Sequence, residues 1–90
     1  SLPMRYLMVR HRVADFPRWK RVFDSHSATQ REAGLKVQKV LRNVDDPAEV
    51  VLFFEVTDMQ AARAFVSSPD VPDAQERSGV ISKPEIIFLE

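Results

Sequence analysis

The segment Val50-Val51-Leu52-Phe53-Phe54-Glu55-Val56 constrains this chain more than any other. A β-strand turns successive side chains to opposite faces, so Val50, Leu52, Phe54 and Val56 share one face while Val51 and Phe53 share the other. A strand covered on one side alternates apolar and polar residues, whereas one covered on both sides reads as a continuous apolar run. The closing segment Ile86-Ile87-Phe88-Leu89 repeats the pattern, with Ile87 and Leu89 opposite Ile86 and Phe88. A sheet built from these strands needs cover on two sides.

Length limits what can supply that cover. Ninety residues make one domain, read here as residues 4–90. A chain of this size buries only about 60–65% of the surface its unfolded form exposes, so a lone copy is marginal. Ser1, Leu2 and Pro3 precede Met4 and are expected to be processed or added leader residues. The absence of cysteine excludes disulfides, thiolate metal sites and cysteine nucleophiles, and suits a reducing cytoplasm. Thirteen basic side chains balance thirteen acidic ones, which removes the electrostatic basis for binding nucleic acid or an anionic membrane. No apolar run approaches the roughly 20 residues of a membrane span. A cytoplasmic protein with neither partner is expected.

The element order follows from local signals. Arg5 to Val13 suits a strand. Asp15 offers an N-cap and Pro17 sits in the first turn of a helix that can run to Gly34. Phe16, Trp19, Val22, Phe23, His26, Gln30 and Ala33 fall on one arc of that helix. Leu35–Val44 and Glu49–Val56 read as a hairpin around Asp45-Asp46-Pro47, where both aspartates are best explained as turn formers. Thr57 or Asp58 caps a second helix through Met59, Ala62, Phe65 and Val66, which stops at Ser67-Ser68-Pro69. A short helical turn over Pro72 to Ser78 ends at Gly79, and Lys83 to Leu89 is the last strand. The order β-α-β-β-α-β is the ferredoxin-like arrangement, an α+β fold with helices on one face of an antiparallel sheet. Two helices cover one face only, so a second copy is expected on the other, making a homodimer with facing sheets.

Few residues carry chemistry. His26 lies seven residues after Trp19 on the apolar arc, with Gln30 one turn further on. His11 interrupts the apolar strand face of Val9 and Val13. Each histidine admits two readings: a general base with an ordinary pKa of about 6.5, or a core residue satisfied by a hydrogen bond. Trp19 and Phe23 supply an aromatic wall. Arg42 and Glu55 each break an apolar strand face, which reads either as an ion pair across the hairpin or as a handle for a polar ligand group. Two histidines without a spaced carboxylate cluster fall short of a zinc site, so no metal is expected. There is no Gly-rich phosphate loop, no G-x-S-x-G elbow and no H-E-x-x-H helix.

The element order, the doubly apolar strands and the segments Val9-Arg10-His11-Arg12-Val13, Asp15-Phe16, Trp19-Lys20, Phe23-Asp24, Asp46-Pro47 and Gly79-Val80 resemble small members of the dimeric α+β barrel superfamily. Antibiotic-biosynthesis-monooxygenase-like proteins are its best-known representatives. The resemblance covers essentially the whole chain and implies a ferredoxin-like protomer, a homodimeric barrel and a ligand pocket between each sheet and its helices. The superfamily includes cofactor-independent monooxygenases, haem-degrading enzymes, lactone isomerases and polyketide cyclases, so fold does not choose a reaction. The reading that results is a dimeric binder of an apolar or aromatic small molecule, acting as a cofactor-independent monooxygenase or cyclase-like enzyme. His26 or His11 would be its base, Trp19, Phe23 and Gln30 its lining, and Arg42 and Glu55 its polar anchors. The alternatives are a non-catalytic ligand-binding or structural dimer, or a haem binder recognisable by a Soret band.

Overall fold

In β1 (Tyr6–Arg12) the side chains of Leu7, Val9 and His11 are buried, while Tyr6, Met8, Arg10 and Arg12 alternate with them on the opposite face. The same period of two runs through β3 (Glu49–Val56), where Val50, Leu52 and Phe54 are buried. A computed structural model, which describes residues 3–90, places these strands side by side; Ser1 and Leu2 of the expected leader lie outside the described residues. The four strands, with β2 (Leu35–Arg42) and β4 (Glu85–Leu89), form an antiparallel sheet in the order β2-β3-β1-β4. Leu7 stands opposite Phe54 and Phe88, and Val9 opposite Leu52 and Ile86, so one face presents an unbroken apolar row to the helices. Burying each such Val, Leu or Phe side chain stabilises the fold by about 1.5–3 kcal/mol. This is the expected ferredoxin-like α+β layer.

The first helix begins as its sequence requires. Asp15 accepts a hydrogen bond from the Arg18 backbone N–H at 3.2 Å and Pro17 sits in the first turn of α1 (Phe16–Ser25). The expected single helix to Gly34 is corrected to two, because the backbone breaks at His26 before α2 (Ser27–Glu32). Ser25 supplies a cause: serine hydroxyls compete for backbone acceptors, and Ser25 Oγ donates to the Val22 carbonyl at 2.6 Å. The His26 N–H then donates to the Phe23 carbonyl, three residues back, instead of continuing the regular ladder. Asp58 caps α3 (Met59–Val66) through the Ala61 N–H at 3.0 Å. The short turn expected near Pro72 is a full helix, α4 (Asp70–Arg77). Gly34 and Gly79 follow α2 and α4 with φ of 73° and 87°, a left-handed conformation that ends a helix without the Cβ penalty. No helix is long and apolar enough to cross a membrane, among the described residues.

Strand β2 alternates imperfectly because its register with β3 shifts between Val37 and Lys39. The bulge keeps Val40 opposite Leu52 on the helix side and turns Leu41 to the open side. The open face carries Met8, Leu41, Val51, Phe53, Ile87 and Leu89, with Leu41 46%, Ile87 38% and Leu89 40% exposed. Three ion pairs on this face and its rim close within the chain: Arg10 with Glu85, Arg12 with Asp46, and Arg5 with Glu90. The hydrogen bond from Arg12 holds the Asp46 carboxyl below the usual carboxylate range, so Asp46 is an ion-pair partner as well as a turn residue.

Candidate functional site

Between the sheet and the helices lies a cavity of about 280 Å³. Leu7, Val9, Leu52, Phe54 and Ile86 form its floor; Trp19, Val22 and Phe23 of α1 form one wall, and Phe65, Val66, Val71 and Ala74 of α3 and α4 the other. Trp19 is buried and stacked on Phe23, with ring centroids 4.9 Å apart and planes at 24°, and Phe23 leans on Phe54 at 6.0 Å. Exposed residues on the lining, His26, Thr29, Asp70 and Arg77, make a polar rim. The interior is therefore aromatic and aliphatic.

Two buried polar side chains interrupt it. His11 is 4% exposed, packs edge-on against Trp19 at 5.5 Å and 71°, and its Nδ1 has no hydrogen-bond partner. Burial away from water lowers its pKa from the ordinary 6.5, which keeps the imidazole neutral at neutral pH. A neutral imidazole retains a lone pair and so accepts a proton or a hydrogen bond. Gln30 is 7% exposed, donates weakly from Nε2 to the Phe23 carbonyl at 3.5 Å, and leaves Oε1 without a partner. The helix break positions it, since the same carbonyl also takes the His26 N–H at 3.1 Å. Buried polar atoms without partners are uncommon in folded chains and destabilise by about 1–3 kcal/mol each. Both residues lie on the lining of one cavity, which makes it the candidate ligand site.

The structure gathers His11, His26, Trp19, Phe23 and Gln30 on this cavity and leaves Arg42 and Glu55 elsewhere. The expected Arg42–Glu55 pair does not form, because the bulge sets Arg42 opposite Val50 on the helix side while Glu55, opposite Tyr6, faces the open side. Arg42 lies over the Phe16 ring, 4.1 Å from its centroid, and its Nε donates to the Pro47 carbonyl at 2.8 Å. Glu55 accepts a hydrogen bond from Gln38 Nε2 at 3.4 Å. His26, at the break, is exposed on the rim and not sunk in the apolar arc. The contribution of α4 went unread in the sequence, although Val71, Ala74 and Ser78 are spaced by three and four residues as one helix face requires.

No protein-family profile matches the sequence. No curated protein matches it either. Solved structures do. SnoaB from Streptomyces nogalater, a cofactor-independent oxygenase, is 20% identical, with a TM-score of 0.67 over 96% of this chain and 92% of that one. A Caulobacter crescentus protein named as an antibiotic biosynthesis monooxygenase is 17% identical, with a TM-score of 0.71 over 96% and 87%. A Bordetella bronchiseptica protein of the same naming is 12% identical, with a TM-score of 0.72 over 99% and 97%. At these identities the likeness is one of fold: the chain has the ferredoxin-like α+β fold of the antibiotic biosynthesis monooxygenase structures.

Proposed function

We propose that this chain is a homodimeric small-molecule-binding protein that acts as a cofactor-independent monooxygenase on an apolar aromatic substrate. The observation that carries the reading is His11, a neutral imidazole with an unpartnered nitrogen on the lining of an aromatic cavity. Its fold-likeness to SnoaB, named as a cofactor-independent oxygenase, supports the same direction. The cysteine-free sequence supports a cytoplasmic setting.

The chemistry needs a substrate with an activated methylene. The low-polarity cavity excludes water, and His11 takes one C–H proton to leave a resonance-stabilised carbanion. One electron passes from that carbanion to dioxygen, the resulting radicals join through a C–O bond, and the peroxide takes the proton back from the imidazolium. Loss of the second C–H proton with cleavage of the O–O bond releases water and leaves a carbonyl. The sum is a CH₂ group plus O₂ giving C=O plus H₂O. Trp19 and Phe23 hold the ring system, and the base is assigned to the buried His11 in preference to His26, which is exposed on the rim.

The homodimer supplies the second cover that the strand pattern demands. The open sheet face offers Met8, Val51, Phe53, Ile87 and Leu89 to a second copy, and Arg10 and Arg12 beside them are paired within the chain. Anthrone, whose methylene is activated by its carbonyl and flanking rings, is a suitable probe. Oxygen uptake with one anthraquinone formed per O₂ is expected, with loss of most of the rate in His11→Gln and little change in His26→Ala. Binding of anthrone without oxygen uptake reduces the reading to a non-catalytic binder, and equal rates in His11→Gln remove His11 as base.

A further inference from the structure

We infer that this cavity selects neutral ligands carrying two hydrogen-bond donors, one read by His11 and the other by Gln30, and turns away carboxylates. The inference rests on the cavity being a ligand site, as proposed above, and goes further by stating which added groups tighten binding beyond the bare ring system that anthrone presents.

The two unpartnered atoms come from different elements, β1 and α2, and meet the same aromatic wall at opposite members. His11 packs against Trp19, Gln30 bonds to the backbone of Phe23, and Trp19 and Phe23 stack on each other. A planar ligand along that wall therefore finds a polar group towards each end. Each group has an atom able to accept a hydrogen bond. A carbonyl only accepts, so the contact with the Phe23 carbonyl turns the Gln30 amide nitrogen towards it and leaves Oε1 as an acceptor. His11 is a neutral imidazole at neutral pH, so one of its two ring nitrogens is unprotonated and offers a lone pair. Both atoms are shielded from water in the ligand-free chain, so a ligand reaches them by drawing the two side chains towards the cavity that both already line.

The charge selection has the same origin. Among the described residues no lysine or arginine is buried on the lining and His11 is neutral; the one arginine there, Arg77, is exposed and shares the rim with Asp70. An ionised ligand would lose its hydration and face two acceptors, an arrangement that disfavours binding. A hydroxyl or N–H loses its hydration too but regains a bond. Matching one buried acceptor is expected to tighten binding about tenfold.

Calorimetric titration near neutral pH with naphthalene, a naphthol, a naphthalenediol with hydroxyls on opposite rings, and naphthoate tests this on the unaltered protein. The expected order is diol tighter than naphthol tighter than naphthalene, by about tenfold at each step, with no saturable binding of naphthoate. Gln30→Leu and His11→Leu are each expected to bring the diol down to the affinity of the naphthol while leaving naphthalene unweakened; Gln30→Met serves if the leucine variant does not fold. Equal affinities for naphthalene and the diol, or naphthoate binding as tightly as the diol, overturn the inference while leaving the cavity as a ligand site. Failure of all four probes to bind overturns the ligand-site reading itself.

Discussion

Replacing His11 by leucine is expected to stabilise the chain while destroying its activity. Leucine fills a similar volume against Trp19 and removes the buried nitrogen that has no partner. Relief of that unmet group contributes about 1–3 kcal/mol. Against this stands the loss of the edge-on aromatic contact with Trp19, about 0.5–1.5 kcal/mol. The net gain is about 1 kcal/mol, a rise of about 4–8 °C in Tm for a domain of this size. The pH dependence sharpens the test. Burial lowers the folded-state pKa of His11, so below its ordinary 6.5 the unfolded chain takes up a proton that the folded chain resists. Wild-type stability from this group is complete above about pH 6.5 and is lost as pH falls through that value towards the folded pKa. His11→Leu lacks this loss, and its advantage widens on acidification. Urea unfolding followed by the fluorescence of Trp19, the single tryptophan, at fixed protein concentration and at about pH 7.5 and about pH 5.5 measures both effects. A variant less stable than wild type at the higher pH, or an advantage that shrinks in acid, refutes the description of His11 as a buried, unsatisfied, neutral imidazole.

Gly34→Ala places a Cβ 2.8 Å from both Cβ and O of Asp58 at a φ of 73°; strain and damage to the α3 cap together are expected to lower stability by roughly 2–4 kcal/mol in the same urea assay. Phe53→Glu puts a carboxylate in the middle of the open sheet face and occurs twice in an isologous dimer, so a loss of about 3–6 kcal/mol of association energy is expected. Sedimentation velocity should then show a monomer, and an unchanged dimer would move the interface elsewhere. Arg42→Ala removes an exposed cation–π contact with Phe16 and is expected to lower stability by about 0.5–1 kcal/mol, with ligand affinity held within about twofold.

The fold was legible because its signals are local and mutually consistent. The apolar face of Val50, Leu52 and Phe54, the caps at Asp15 and Asp58 and the stops at Gly34 and Gly79 each act within a few residues, and the structure uses all of them. The break at His26 was hidden because an apolar stripe at helical spacing says nothing about the Ser25 hydroxyl taking a backbone acceptor between its members. Strand β2 hid its bulge for a related reason: one extra residue exchanges the faces of everything beyond it, so Arg42 and Glu55, two strand-face charges in sequence, end on opposite sides of the sheet. Within the site, strand parity sufficed to set His11 among Val9 and Val13, but whether it had a hydrogen-bond partner depended on what packed above it. That is a tertiary fact, and it is what separates the buried, unpartnered His11 from the exposed His26.

The central claim is that a ligand seats in the cavity against a neutral His11. Nuclear magnetic resonance of the imidazole nitrogens in protein carrying isotope-labelled histidine, titrated with anthrone in the absence of oxygen, tests it most directly. The expected result is a neutral His11 ring at neutral pH whose nitrogen resonances shift to saturation with ligand, while those of His26 on the rim move far less. A His11 that is protonated in the free protein, or whose resonances stay fixed while anthrone binds stoichiometrically, contradicts the claim.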